Sequence, residues 1–381
     1  MVFREDSKKR LRVLHLTPWY PSEDLPLVTP FVRAHFDALD AHVDQRLIHI
    51  DLKPGESLGI RSEFRGGDKN RFLFAFPVVA SRVVEVAALF AMFCVRLMLK
   101  RKSWDVLLVH VAWPLLRYPS LLRLLFGKRV VLVEHWSAYS KNFNVAPGSP
   151  GHLRLQKMLD EDIPVVAVSE ALAKDIRAFA PEKHFPITVV PNVVESVFHQ
   201  GRPIEGRLFM AASWNDFRLP DLVIEAFTAI AARYPSAHLV IAGGGPKLPE
   251  MKRQVDRLEI SERVTFLGPV DKRRIADEMS RASIFLHPAT YETFSVITAE
   301  ALSCGVPALV SHEGALPELV APDVNGLLVE NTSDAWRAAL EAALNKSDWH
   351  RDRIAEDARS RFSPEVVGAR LYEELSKAVS R

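Results

Sequence analysis

Strand-length apolar runs alternate with segments of helical period along this chain, and no other feature restricts its fold so strongly. "LRVLHLT" (11–17) precedes the helical "FVRAHFDAL" (31–39). "QRLIHI" (45–50), "WDVLLVHV" (104–111), "KRVVLVEH" (128–135), "IPVVAVS" (163–169) and "PITVVPN" (186–192) follow. Val, Leu and Ile fill both faces of these runs, as in strands covered on two sides in a parallel sheet of βαβ units. The pattern then restarts with "RLFMAAS" (207–213), "AHLVIAGGG" (237–245), "RVTFLGPV" (263–270), "ASIFLHP" (282–288) and "VPALVS" (306–311). A polar stretch containing Gly and Pro, 192–207, joins the two series and is the natural linker. The expectation is an α/β protein of two doubly wound domains, 1–200 and 201–363, with a cleft between them and ligands beyond the strand C-termini. The tail from Pro364 reads as a terminal helix, 364–381, expected to pack back on the first domain.

A length of 381 residues fits two domains of ordinary size, and 48% apolar with 25% charged residues fits a water-soluble globular chain. Net charge is only +2, but residues 1–200 carry 27 Lys+Arg against 21 Asp+Glu, a net of +6, and the remainder carries −4. A basic first half suits an anionic partner such as a membrane surface or a phosphorylated acceptor; scatter of surface charge is the bland alternative. Cys94 and Cys304 lie in apolar helical patterns without a neighbouring His or Cys. A disulfide framework or zinc site is therefore not expected, which fits a reducing cytoplasm. The opening "MVFREDSKKR" has no apolar signal core, so export by such a signal is not expected. The segment 82–102 holds an uninterrupted apolar run of ten residues, Val86–Val95, too short for roughly 30 Å of hydrocarbon. It reads first as a buried helix; the second reading is a helix lying on a bilayer, with Arg96, Lys100, Arg101 and Lys102 on lipid phosphates.

Chemistry concentrates in "HPATYETFSVITAEALSCGVPALVS", His287–Ser311. A strand ends at His287, a loop follows, and a helix is expected from about Ser295 to Gly305. Glu292 then precedes the helix and Glu300 lies in its second turn, leaning back toward the helix start. The free amides of that first turn favour a phosphate. Two carboxylates at such a place suit a ligand that is both anionic and rich in hydroxyls, and a nucleotide-sugar is one.

The E-x7-E spacing, the following "EALSCGVPALVS", and "EGALPELV" (313–320) resemble the signature of the retaining glycosyltransferases of family 4. "RLPDLVIEAF" (218–227), "LVIAGGGP" (239–246), "VTFLGPV" (264–270), "AVSEAL" (167–172) and "VVPNVV" (189–194) occur in that family's order. The resemblance implies the GT-B fold of two facing Rossmann-like domains, the first for the acceptor and the second for the nucleotide-sugar. It implies that Glu300 binds the donor ribose and that Glu292 faces the transferred sugar. It places the amides of Phe294, Ser295 and Val296 on sugar hydroxyls or phosphate, and Arg218 on the pyrophosphate. Gly243 and Gly244 would let backbone approach the donor, Val270 would border the base, and His135 would help hold the sugar. Thr29, in "PWYPSEDLPLVTPF" (18–31), would lie in the loop near acceptor and phosphate.

The implied reaction moves a sugar, with retention, from a nucleoside-diphosphate donor to a glycan or lipid-linked hydroxyl in bacterial surface polysaccharide or glycolipid synthesis. It implies no metal and no cofactor beyond the donor as co-substrate, no nucleic acid partner, and a cytoplasmic site, including the inner membrane face. The chain departs from the family pattern at Ser295, Thr29 and Val193, where glycine is usual, and at Ser213, where a basic residue is usual. Ser295 is expected to cap the helix instead. The departures leave a degenerate GT-B scaffold without transfer as the alternative, and a hydrolase or epimerase as a third reading. Bland readings stand beside these: surface acids at Glu292 and Glu300, a satisfied His135, a surface Arg218, a tight turn at "GGGP", a polar turn at Asp160–Asp162, and a core-edge His110.

Overall fold

The computed structural model describes residues 10–21, 30–54, 59–64, 69–76, 81–99 and 104–380. Thr29 and Lys100–Lys102 lie outside the described residues. The chain forms two compact units: Met1–Val168 with Leu172–Val190 and Val367–Arg381, and Ser169–Ala171 with Pro191–Val366.

In the first unit the Val- and Leu-rich runs become β1 (Leu11–Thr17), β2 (Val43–Pro54), β3 (Gly59–Phe64), β4 (Lys69–Phe76), β5 (Val106–His110), β6 (Val130–Glu134), β7 (Val165–Ala167) and β8 (Ile187–Val189). Among the described residues they order as β3-β4-β2-β1-β5-β6-β7-β8, parallel except for the antiparallel β3–β4 pair. Helices α1 (Pro30–Leu39), α2 (Ser81–Met98), α3 (Pro119–Phe126), α4 (Pro150–Gln156) and α5 (Glu170–Phe179) connect them. Every residue of β5 and β6 is buried, as a sheet covered on both faces requires.

The expectation that 82–102 is buried on all sides is overturned. Ala88, Ala91, Met92 and Val95 of α2 are buried, while Val86 (62% exposed), Phe90 (48%), Phe93 (51%), Leu97 (70%) and Met98 (61%) face outward. Both faces carry apolar side chains, but only one is buried. Buried Glu85 is held by Arg117, with Nε 3.2 Å from its carboxylate, and by Arg154 at 3.7 Å. No helix among the described residues is long and apolar enough to cross a membrane.

The second unit contains β9 (Arg207–Ala211), β10 (His238–Ala242), β11 (Val264–Gly268), β12 (Ile284–His287), β13 (Ala308–Ser311) and β14 (Gly326–Val329). Its helices are α6 (Pro220–Ala231), α7 (Leu248–Arg257), α8 (Lys272–Arg281), α9 (Val296–Ser303), α10 (Leu316–Leu319), α11 (Ser333–Asn345) and α12 (Arg351–Phe362). The strands order as β11-β10-β9-β12-β13-β14, all parallel. Chain order reverses between β9 and β12, so the loops leaving these two strands diverge and open a crevice at the sheet's C-terminal edge. A core of Leu208, Trp214, Ile224, Phe227, Leu239, Leu286, Trp336 and their neighbours lies beneath it.

The last helix, α13 (Pro364–Ser380), packs against the first unit from Val367 onward. A Cβ on Gly368 would stand 2.3 Å from the Ala38 carbonyl oxygen, and the Tyr372 ring stacks on His42 at 5.6 Å. Arg370 donates to the Val189 carbonyl at 2.9 Å.

Candidate active site

Two loops are zipped together at the crevice of the second unit. Arg218, after β9, bridges Ala289, after β12; Leu219 N–H donates to Pro288 O (3.2 Å) and Thr290 N–H to Phe217 O (3.0 Å). The pairing brings side chains 74 residues apart into contact. Arg218 Nη2 donates to Glu292 Oε1 at 2.7 Å, and His287 Nε2 lies 2.8 Å from the same oxygen. Burial alone would raise the Glu292 carboxyl, but the Arg218 charge and the His287 hydrogen bond hold it below the usual range. Burial pushes His287 down, so at neutral pH it is an uncharged imidazole donating its Nε2–H to Glu292. From the other side, Ala315 N–H donates to Glu292 O at 2.9 Å, and Gly314 passes so close that a Cβ there would stand 2.2 Å from that oxygen.

Glu300 is buried in α9, and its carboxyl is pushed up to about 8 by burial, which the Lys272 charge opposes and Glu195 reinforces. Lys272 opens α8 directly after the Val270 loop and is ion-paired with Glu195. As at any helix start, the amides of Val296 and Ile297 have no carbonyl within the helix to bond. Phe294 is buried edge-on against Phe362 at 5.5 Å and anchors the loop.

Ser295 does not cap the helix as expected. Its φ of +71° is left-handed, its side chain makes no capping bond, and its Oγ lies 2.8 Å from the Thr298 hydroxyl. The turn demands a left-handed residue, which a glycine would supply without the Cβ strain. The glycine loop is also fixed by its neighbours. A Cβ on Gly243 (φ +105°) would meet Ala212 O at 1.9 Å, and one on Gly244 would meet the Pro269 ring at 2.9 Å. Trp214 latches the loop, its N–H donating to Gly244 O (2.8 Å) and its Nε1–H to Ala242 O (3.0 Å).

Residues 210–361 match the family model described as Glycosyl transferases group 1. Through this segment the second unit is similar to the group 1 glycosyl transferases. It is 26% identical over 315 residues to D-inositol 3-phosphate glycosyltransferase of Xylanimonas cellulosilytica, spanning 74% of this chain and 69% of the relative. The match to the Mycobacterium marinum protein of the same name spans 53% of that relative. Sucrose-phosphate synthase from Thermosynechococcus elongatus superposes with a TM-score of 0.72 at 18% identity, covering 97% of this chain and 100% of that one. Anabaena HepE in complex with UDP-glucose superposes with a TM-score of 0.70 at 15% identity, again over 97% and 100%. The fold is GT-B.

The second unit brings Glu292, Arg218, Gly243, Gly244, Ser295, Val296, Glu300 and Val270 to loops and helix starts on one sheet edge. Sequence reasoning missed three of their partners. His287 steadies Glu292, and Lys272 lies near Glu300. Lys247 donates from Nζ to the Arg218 carbonyl at 2.9 Å, a cation beside the loop where Ser213 lacks one. The lysine directly after "GGGP" was the available signal.

His135 belongs to the first unit, just after β6. Buried Glu134 organises its loop by accepting from Ala112 N (3.0 Å), His135 N (2.9 Å), Trp136 N (3.0 Å) and Tyr139 Oη (2.9 Å). His135 does not stand alone, and His110 is no isolated core-edge residue. Their rings lie 5.9 Å apart, with His35 and His15 beside them. Asp160 and Asp162 form a polar turn closed by Arg123, at 3.3 and 2.7 Å. Cys304 is buried, its thiol pushed up to about 12 by burial.

Proposed function

We propose that this protein is a retaining transferase that moves a sugar from a nucleoside-diphosphate-sugar to a hydroxyl of a glycan or lipid-linked acceptor, in bacterial surface polysaccharide or glycolipid synthesis. The observation that carries the reading is the Arg218–Glu292–His287 cluster beside the start of α9, with Glu300 in the next turn, all at the switch point of one sheet. Glu300 accepts the ribose diol. Glu292, held ionised, faces the developing positive charge on the sugar. The donor's pyrophosphate competes with Glu292 for the Arg218 guanidinium and meets the open amides of α9. Lys247, from the loop after β10, adds charge beside the Arg218 loop, so the leaving group is stabilised by side chains and backbone without a metal at the donor. His135, in the other unit, keeps the sugar-holding role that its resemblance implies. The UDP-glucose complex of the HepE neighbour supports a nucleotide-sugar as donor.

The exposed face of α2 supports an anionic membrane as the surface on which a lipid-linked acceptor is met. From Val86 to Val133 the sequence contains a single acidic residue, Asp105, and Arg12 neutralises it at 2.7 Å. Of the eight Lys and Arg residues in that stretch, Arg117 is paired with buried Glu85 and Arg123 with Asp160 and Asp162, which leaves six beside the apolar face.

The alternative, a degenerate scaffold, rests on Ser213 and the strained Ser295. Calorimetric titration with UDP, GDP and ADP, repeated on Glu300→Ala, separates the two. Selective binding of one nucleotide, lost in the variant, supports the donor site. Binding of none of them supports the scaffold.

A further inference from the structure

The first unit has a switch point of its own between β1 and β5, and four imidazoles crowd its C-terminal edge. His15 lies on β1, His35 on α1, His110 at the end of β5 and His135 just after β6, and all are buried. Each of His35, His110 and His135 offers a ring nitrogen such that all three atoms lie within 4.8 Å of one another.

His15 Nδ1 lies 3.2 Å from His110 Nε2, so one ring donates to the other. With His110 as the donor, its proton sits on Nε2 and its Nδ1 is a bare lone pair, buried and without a hydrogen-bond partner. A ring whose outer N–H is fixed by a neighbour while its inner nitrogen stays bare is the usual state of a metal-ligating histidine.

We propose that His35, His110 and His135 bind a divalent ion of the zinc class, with His15 as the hydrogen-bond partner that orients His110. Three neutral imidazoles select zinc, cobalt, nickel or copper over magnesium and calcium, which require oxygen ligands. Metal–nitrogen bonds of about 2.0–2.1 Å place tetrahedral nitrogens roughly 3.4 Å apart, so the trio closes by side-chain rotation. Three protein ligands leave a fourth position for water or a substrate oxygen. The buried carboxyl of Glu134 adjoins His135 and fixes its loop. Coordination through one nitrogen of His135 leaves the other as the N–H that a sugar hydroxyl accepts. The site takes no ligand from the second unit but shares His135 with the sugar-holding role proposed above.

The test uses the untagged full chain, stripped with EDTA and desalted, then titrated with Co2+ under visible absorption and with Zn2+ under metal analysis. One equivalent retained per chain, with the intense bands of four-coordinate Co2+, is expected. His110→Asn and His35→Asn are each expected to weaken retention at least about tenfold, while exposed His312→Asn leaves it unchanged. Failure of the wild-type chain to retain metal overturns the proposal whatever the variants do. So does a six-coordinate Co2+ spectrum, or equal retention by His110→Asn.

Discussion

Glu300 holds its proton to about pH 8 because burial outweighs the attraction of Lys272. The folded state therefore binds that proton more tightly than the unfolded chain does. Stability is lost as pH rises from the ordinary carboxylate range through about 8. Glu300→Gln should raise Tm more at pH 9 than at pH 5, as thermal melts at both values will show. With Glu300 on the ribose as proposed, binding has the opposite dependence, since a ribose diol donates best to the ionised acid. Nucleotide affinity should climb between pH 6.5 and pH 9 in the wild type and stay flat in Glu300→Gln, measured by calorimetry. His287→Phe removes a buried donor from Glu292, which should cost about 1–3 kcal/mol in denaturant unfolding. Donor turnover should fall while nucleotide Kd holds. The two acids were legible because Glu292 lies in the loop into α9 while Glu300, within the helix, leans back toward its start. His287 was in view but not its role: its bond to Glu292 exists only because the Arg218 loop and the Ala289 loop are zipped together. Ser295 was read as a cap, yet capping needs extended backbone and this turn runs left-handed. Ser295→Gly should gain up to about 1 kcal/mol, seen as a higher Tm, by removing the Cβ strain.

At the scale of elements, the strands were legible because Val- and Leu-rich runs covered on two sides have few other ways to fold. α2 was not. A helix apolar on both faces says nothing about which face the sheet will take, and here Ala88, Met92 and Val95 took it. The remaining face predicts lipid binding. Replacing Lys100, Arg101 and Lys102 by Gln should weaken partition onto anionic vesicles by about two orders of magnitude, at about 1 kcal/mol per charge. Phe90→Ser with Phe93→Ser should weaken it on neutral vesicles as well. Cosedimentation measures both, and unchanged binding in the two variants removes the membrane from the proposal. The histidine cluster was illegible for another reason. Positions 15, 35, 110 and 135 have no spacing in common, and only the adjacency of β1, β5 and β6 gathers them.

At the scale of the whole molecule, α13 tests how separable the two units are. Gly368→Ala forces a Cβ against the Ala38 carbonyl, so α13 must lift from the first unit. Tm of the first unit should fall while nucleotide affinity, a property of residues 191–366, is kept. Calorimetric melts with and without nucleotide measure both. The same helix dictates an order of events on the ribosome. The second unit ends at Val366, ahead of the stretch that completes the first. Residues 1–190 thus wait, with the patch around Ala38 and His42 uncovered, until the final fifteen residues emerge. The part made first is the part finished last, and a nascent chain stalled before Val367 would hold a completed second unit beside an open first one.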